Sequence, residues 1–123
     1  MTNIFKDQER FMTACDQTVE GFNQQQFDLY VNLIREEVTE LEEAIAANDR
    51  VEMLDALEDI LVVVAGAIHS MGADGEGGWN EVMRTNFAKI DSATGKVRKR
   101  PDGKVLKGPD WVPPNLKPFL KRE

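Results

Sequence analysis

Glu52, Asp55 and Asp59 are spaced three and four residues apart, so they share one face of a helix. That helix continues without a break into Ile60-Leu61-Val62-Val63-Val64-Ala65-Gly66-Ala67-Ile68, which is apolar on every side. A carboxylate this close to a segment bound for the interior must be neutralised by a cation or by protonation, because an unpaired buried charge is strongly destabilising. A second acidic group, Glu36, Glu37 and Glu40, lies upstream at the same helical spacing. Local basic residues are too few to balance both. The economical solution is a divalent-metal site built between two helices.

No proline occurs before Pro101, and the first part of the chain is rich in Glu, Ala, Leu and Gln, which favours helix. The apolar periodicity predicts a first helix from about 4 to 20, carrying Phe11, Cys15 and Val19. A second spans about 25 to 47, with a stripe of Phe27, Tyr30, Ile34, Leu41 and Ile45. Asn48-Asp49 is a tight connection with Asp49 as N-cap, and a third helix follows from about 50 to 71. Residues 72–78 hold four glycines and read as a loop, followed by a short helix from about 79 to 89. Asp102-Gly103 between alternating stretches predicts a small two-stranded ribbon, and the end is an extended proline-rich tail. The fold class is therefore all-α, a four-helix-type bundle with a small C-terminal β-hairpin. A short fourth helix cannot cover two long helices and an almost wholly apolar third, so the bundle is expected to be completed by oligomerisation.

The net charge of −7 conceals a split: residues 94–123 carry nine Lys/Arg against three acids, whereas residues 1–93 carry nineteen acids against six bases. A helical catalytic body over 1–93 and a basic hairpin and tail over 94–123 are read as parts of one domain. The acidic body would repel nucleic acid, and the basic residues form no groove-reading motif. Cys15 is the only cysteine, the N-terminus has no apolar signal core, and the longest apolar run is too short to span a bilayer. These features point to the cytoplasm, with no membrane partner.

Helices two and three must be antiparallel neighbours, because the turn between them is so short. Glu40 and Asp55 lie at similar distances on either side of it, so the two clusters should face each other at matched height. The same face of helix three continues through Val62, Val63 and Gly66, which read as core. All-oxygen donors suit Mg²⁺, with Mn²⁺ an alternative. His69 is too far along the helix to be a ligand, and neither Glu-x-x-His pairs, an EF-hand loop nor a P-loop is present. The competing readings are an exposed charged face for Glu36 to Glu43, and ion pairs from Arg35, Arg50 or another subunit for the second cluster.

Glu36-Glu37-x-x-Glu40, eleven residues, then Glu52-x-x-Asp55 resembles the signature of the MazG-like all-α nucleoside triphosphate pyrophosphohydrolases. That superfamily also includes dimeric dUTPases and phosphoribosyl-ATP pyrophosphohydrolase. Asp59-Ile60-Leu61-Val62-Val63-Val64-Ala65-Gly66 and Glu81-Val82-Met83-Arg84-Thr85-Asn86-Phe87-Ala88-Lys89 resemble two further segments of these proteins. The stretch from Asp102-Gly103-Lys104-Val105-Leu106-Lys107-Gly108-Pro109 to Trp111 and Pro113-Pro114 is similar to the tail of small members.

The resemblance implies Mg²⁺-dependent hydrolysis of a nucleoside triphosphate between the α and β phosphates, giving monophosphate and pyrophosphate in nucleotide-pool house-cleaning. It implies Glu37, Glu40, Glu52 and Asp55 as metal ligands and Glu36 as the residue that orients or deprotonates water. Asp59 is either a further ligand or a supporting acceptor, and Asn86 and Lys89 are expected near sugar and phosphates. A homodimer or dimer of dimers is the expected assembly. The alternative function is a non-catalytic metal–nucleotide binder or oligomerisation module on the same bundle. Lys96 to Lys107 either reach phosphates or are simply solvated. Trp79, Trp111, Phe11, Met12, Phe22, Phe27 and Tyr30 are read as core or interface residues before base-stacking ones.

Overall fold

The structure, a computed structural model, describes residues 2–122. Four helices dominate: α1 Ile4–Ala14, α2 Gln24–Ala46, α3 Arg50–Ser70 and α4 Gly75–Phe87. A two-stranded antiparallel pair follows, β1 Ile90–Asp91 with β2 Lys96–Val97, and a 3-10 turn at Lys117–Phe119. The chain forms two compact units, one running up to Gly75 and taking in the segment from Phe119, the other Glu76–Pro118. The change of charge at residue 94 falls inside the second unit.

The starts of α1, α2 and α3 are each set by a short polar side chain. Asn3, Asn23 and Asp49 accept hydrogen bonds from the backbone N–H groups of Lys6, Gln26 and Glu52 at 2.9, 3.1 and 3.1 Å. Each satisfies a donor that helix geometry leaves free. The α2–α3 turn needs one left-handed residue, Asn48 at φ 52°, a conformation Asn tolerates better than most.

Helix α1 is shorter than its apolar pattern predicts. It ends at Ala14, Asp16 turns left-handed at φ 58°, and Gln17 N–H closes on the Met12 carbonyl at 2.9 Å. The following loop is clasped by buried Gln26. Its Oε1 accepts from Thr18 N–H at 3.0 Å, while its Nε2 donates to the Thr18 carbonyl at 2.7 Å and to Ser70 Oγ at 2.9 Å. A side-chain amide that satisfies a loop's backbone gives Thr18 an alternative to helix.

The core joins Met12, Tyr30, Val63 and Ala67, with Val19, Phe27, Leu33 and Ile34 against it. Tyr30 crosses α3 at Gly66, where an added Cβ would run into its ring. Its hydroxyl donates to Gln17 Oε1 at 2.6 Å and accepts from buried Gln8 at 3.3 Å. Buried His69 is bonded through Nε2 to the Phe5 carbonyl at 2.7 Å. Arg122 ties the C-terminal segment down, donating to both carboxylate oxygens of Glu9 at 3.0 Å.

The apolar run of α3 is only partly inside. Val63 is buried at 8 % exposure, but Val62, read from sequence as core, is 42 % exposed. The glycine-rich stretch is also not the loop predicted over 72–78, because α4 starts at Gly75. An added Cβ there would meet the Phe5 ring, so this glycine permits close approach of α1. Phe11 and Phe22, read as core, are exposed as well.

In the second unit the laddered pairing is Ile90 with Val97 and Asp91 with Lys96, one turn earlier than the hairpin predicted at Asp102-Gly103. That dipeptide is bracketed by a single bridge, Lys99 with Val105, and by Arg100 N–H to the Lys104 carbonyl at 2.8 Å. Glu81 accepts from Arg84 and from the Asn115 N–H at 2.7 Å, which pins the tail to α4.

Gly66→Ala should lower the unfolding free energy by about 1–3 kcal/mol, the usual cost of overpacking a filled core. Urea denaturation measures it, and an unchanged midpoint would show that Tyr30 can move aside.

Candidate metal centre

α2 and α3 lie antiparallel across the short Asn48 turn, and Glu37 and Asp59 are equally far from it in sequence. Helical rise is constant, so the two residues arrive at the same height. Glu40 stands on the Glu37 side, one turn along. The result is that Glu37, Glu40 and Asp59 each bring one carboxylate oxygen within 4.8 Å of the others. Glu37 and Asp59 are half-buried and Glu40 is exposed.

Nothing basic balances this group. Glu37 Oε2 is buried without a hydrogen-bond partner. The ion pairs among the described residues are Glu81 with Arg84, Asp102 with Arg100, and Glu9 with Arg122. Arg35, one candidate partner read from sequence, donates instead to Asn32 at 2.9 Å.

The electrostatic consequence is large. The Glu37 carboxyl is pushed up to about 7, first by burial, then by a hydrogen bond to Glu40 that favours its protonated form, then by the charges of Glu40, Asp59 and Asp55. Asp59 is raised as well, by burial first and then by Asp55 and Glu40. Three convergent oxygen donors, one with an orphaned buried atom, fit a hard divalent cation. The cation would replace the proton.

Asp55 is close enough to act on both Glu37 and Asp59. Exposed Glu52 is not among the three converging residues. It lines an open depression of about 430 Å³ with Glu40, Glu43, Asp49 and Asp55. Glu36 is exposed on α2. Asn86 and Lys89 lie in the second unit, where Lys89 Nζ donates to Asn86 Oδ1 at 3.0 Å. Asp59, which the sequence leaves as either a further ligand or a supporting acceptor, is one of the converging three. Its equal distance from Asn48 with Glu37 is the signal that places it there.

The family model for phosphoribosyl-ATP pyrophosphohydrolase matches residues 6–86. The chain belongs to this family. That places it in the MazG-like all-α superfamily, whose pyrophosphohydrolases act on acid anhydrides and depend in general on metal ions. The match contains α2, α3 and all of the acidic centre. No curated protein matches the chain. Among the described residues, no helix is long and apolar enough to cross a membrane.

The raised Glu37 carboxyl has a definite sign for stability. Its contribution is fully present below the ordinary carboxylate pKa and is lost as pH rises through about 7. Chelator-treated protein should therefore melt lower at about pH 8 than at about pH 5.5, by roughly 5 °C. Adding Mg²⁺ should recover more of that loss at the higher pH, where it no longer competes with the proton. Calorimetric melts with and without Mg²⁺ check this; a metal effect independent of pH would remove Glu37 from the site.

Proposed function

We propose that the protein is a Mg²⁺-dependent nucleoside triphosphate pyrophosphohydrolase that cleaves between the α and β phosphates to give a monophosphate and pyrophosphate. The observation that carries the reading is the convergence of Glu37, Glu40 and Asp59, together with the buried Glu37 Oε2 that has no hydrogen-bond partner. A protein that bound phosphate alone would need cations there. A cluster of acids requires a metal first.

Glu37, Glu40 and Asp59 would hold the ion, with Asp55 beside them and Glu52 at the rim of the depression. When bound, Mg²⁺ supplies charge for the phosphate oxygens and lowers the pKa of water; Mn²⁺ offers similar chemistry. Exposed Glu36, next to Glu37 in sequence, is assigned to accept the proton of the attacking water. The water oxygen bonds to phosphorus, the α–β bridging P–O bond breaks, and its electrons leave with the departing phosphate group. Asn86 and Lys89 are assigned to the substrate, with Lys89 stabilising phosphate charge.

We also propose a homodimer or dimer of dimers. Val51, Leu54, Leu57, Leu61 and Val62 on α3, with Val38 and Ile45 on α2, are exposed in the single chain, Val51 at 76 % and Leu54 at 60 %. So many apolar side chains along one helix pair mark an interaction surface. A second copy covers them in the manner of a bundle.

Two measurements test these assignments. Glu37→Gln should cut pyrophosphate release by about a hundredfold or more, since metal binding contributes several kcal/mol. The same change should raise the melting temperature of the metal-free protein near pH 8, because it removes a repelled charge. Stability gained with activity kept would rule out the metal assignment. Separately, light scattering should give a dimer or tetramer, and Leu54→Asp with Leu57→Asp should shift it toward monomer. A wild-type monomer at micromolar concentration would end the oligomer proposal.

A further inference from the structure

The second unit carries nine Lys/Arg against five Asp/Glu, and two of its cations are held in an unusual way. Lys107 Nζ lies 4.4 Å and Lys89 Nζ 5.5 Å from the centroid of the Trp111 ring. The ring is itself fixed. Its indole N–H donates to the carbonyl of buried Thr85 on α4 at 2.7 Å, and its backbone N–H reaches the Gly108 carbonyl at 3.2 Å. Arg98 is close by, since a Cβ on Gly108 would lie 3.8 Å from its guanidinium Nη2.

These cations are not held in ion pairs. Among the described residues, Arg84 is paired with Glu81 and Arg100 with Asp102, but Lys89, Lys107 and Arg98 have no ion-pair partner. The face of an indole attracts an ammonium group yet accepts no strong hydrogen bond and carries no net charge. Each ammonium group against the ring, like the guanidinium near it, therefore still lacks an ion-pair partner among the described residues. Lys89 spends one of its three donors on Asn86, and the rest are free for an anion. A diphosphate group, with several acceptor oxygens and charge spread over two phosphorus centres, fits such an array better than a single carboxylate does. Lys107 and Trp111 lie outside the residues matched by the family model.

We propose that Trp111 is a positioning residue that holds Lys107 as an anchor for a diphosphate group, which Lys107 contacts directly. The proposal rests on the pyrophosphohydrolase reading, in which that group is either the terminal phosphates of the substrate or the released pyrophosphate. The indole holds each ammonium group before the anion arrives, so less side-chain freedom is lost on binding.

Calorimetry on the full-length protein with inorganic diphosphate and Mg²⁺, beside steady-state hydrolysis, tests it. Lys107→Gln should weaken diphosphate binding about tenfold, the scale of one charge-assisted hydrogen bond. Trp111→Leu should weaken it about threefold, whereas Trp111→Phe, which keeps a ring, should stay within about twofold. Both aromatic-site variants lose the bond to Thr85, so their difference reads the ring–cation contact alone. Lys117→Gln, an exposed lysine in the same unit, should change nothing. If the anchor serves the substrate, KM rises in Lys107→Gln with kcat little changed; if it serves the product, only diphosphate binding weakens. Wild-type affinity in Lys107→Gln, or equal losses in Lys107→Gln and Lys117→Gln, would overturn the proposal. Should Trp111→Leu fail to fold by circular dichroism, the two lysine variants decide it. Diphosphate binding with this pattern but no hydrolysis of any triphosphate would sink the enzymatic reading and leave the anchor. Metal-dependent hydrolysis with indistinguishable variants would do the reverse.

Discussion

Repulsion between carboxylates at one height of the α2–α3 pair is the constraint on which the rest of the first unit depends. The two helices cannot move apart there without breaking their core elsewhere. The Asn48 turn fixes one end of the pair, and the approach of Tyr30 to Gly66 fixes the helices further along. Glu37, Glu40 and Asp59 are therefore held together by packing that none of them contributes to. The repelled charge has two outlets, a proton or a metal ion. The raised Glu37 carboxyl expresses the first of these.

The parts of this arrangement legible in the sequence are those governed by period and distance. The α2 and α3 spans follow from apolar spacing, the Asp49 cap and a turn too short for anything but an antiparallel pair. The facing of two acidic clusters follows from the same arithmetic. The end of α1 was not legible, because it is decided by Gln26, whose amide captures Thr18 from another helix. Nor was the start of α4, where local propensity argues for a loop and a tertiary contact with Phe5 argues for glycine. Asp102-Gly103 shows the same limit. The dipeptide does turn the chain, but the longer pairing belongs to residues 90–97, closed by the less distinctive turn Asp91-Ser92-Ala93-Thr94-Gly95 with Gly95 left-handed at φ 69°.

Helix α3 also shows why apolar content alone does not define a core. Val63 and Ala67 are buried by α1 and α2, while Leu54, Leu57, Leu61 and Val62 on other faces are not. The number of neighbours in one chain limits how many faces of a helix can be covered. The acidic end of α3 carries a carboxyl raised by burial and by its acidic neighbours, and its other sides leave apolar surface exposed. Both features belong to one helix.

Glu37 in the first unit and Glu81 in the second are handled in opposite ways. In the second, Glu81 receives Arg84 through two hydrogen bonds and the Asn115 backbone through a third, and it is held down to about 2. Its charge is answered within the unit, and it also takes Arg84 out of the supply of free cations. In the first, Glu37 has an acid for every neighbour that matters and is pushed the other way. The same functional group is thus a structural tie in one place and a repelled, unpaired acid in the other, because of its neighbours and not its helical position. That contrast argues that neither the free acids of the first unit nor the free bases of the second are leftovers of an acidic or basic composition. Where this chain uses charge to hold itself together, it pairs it.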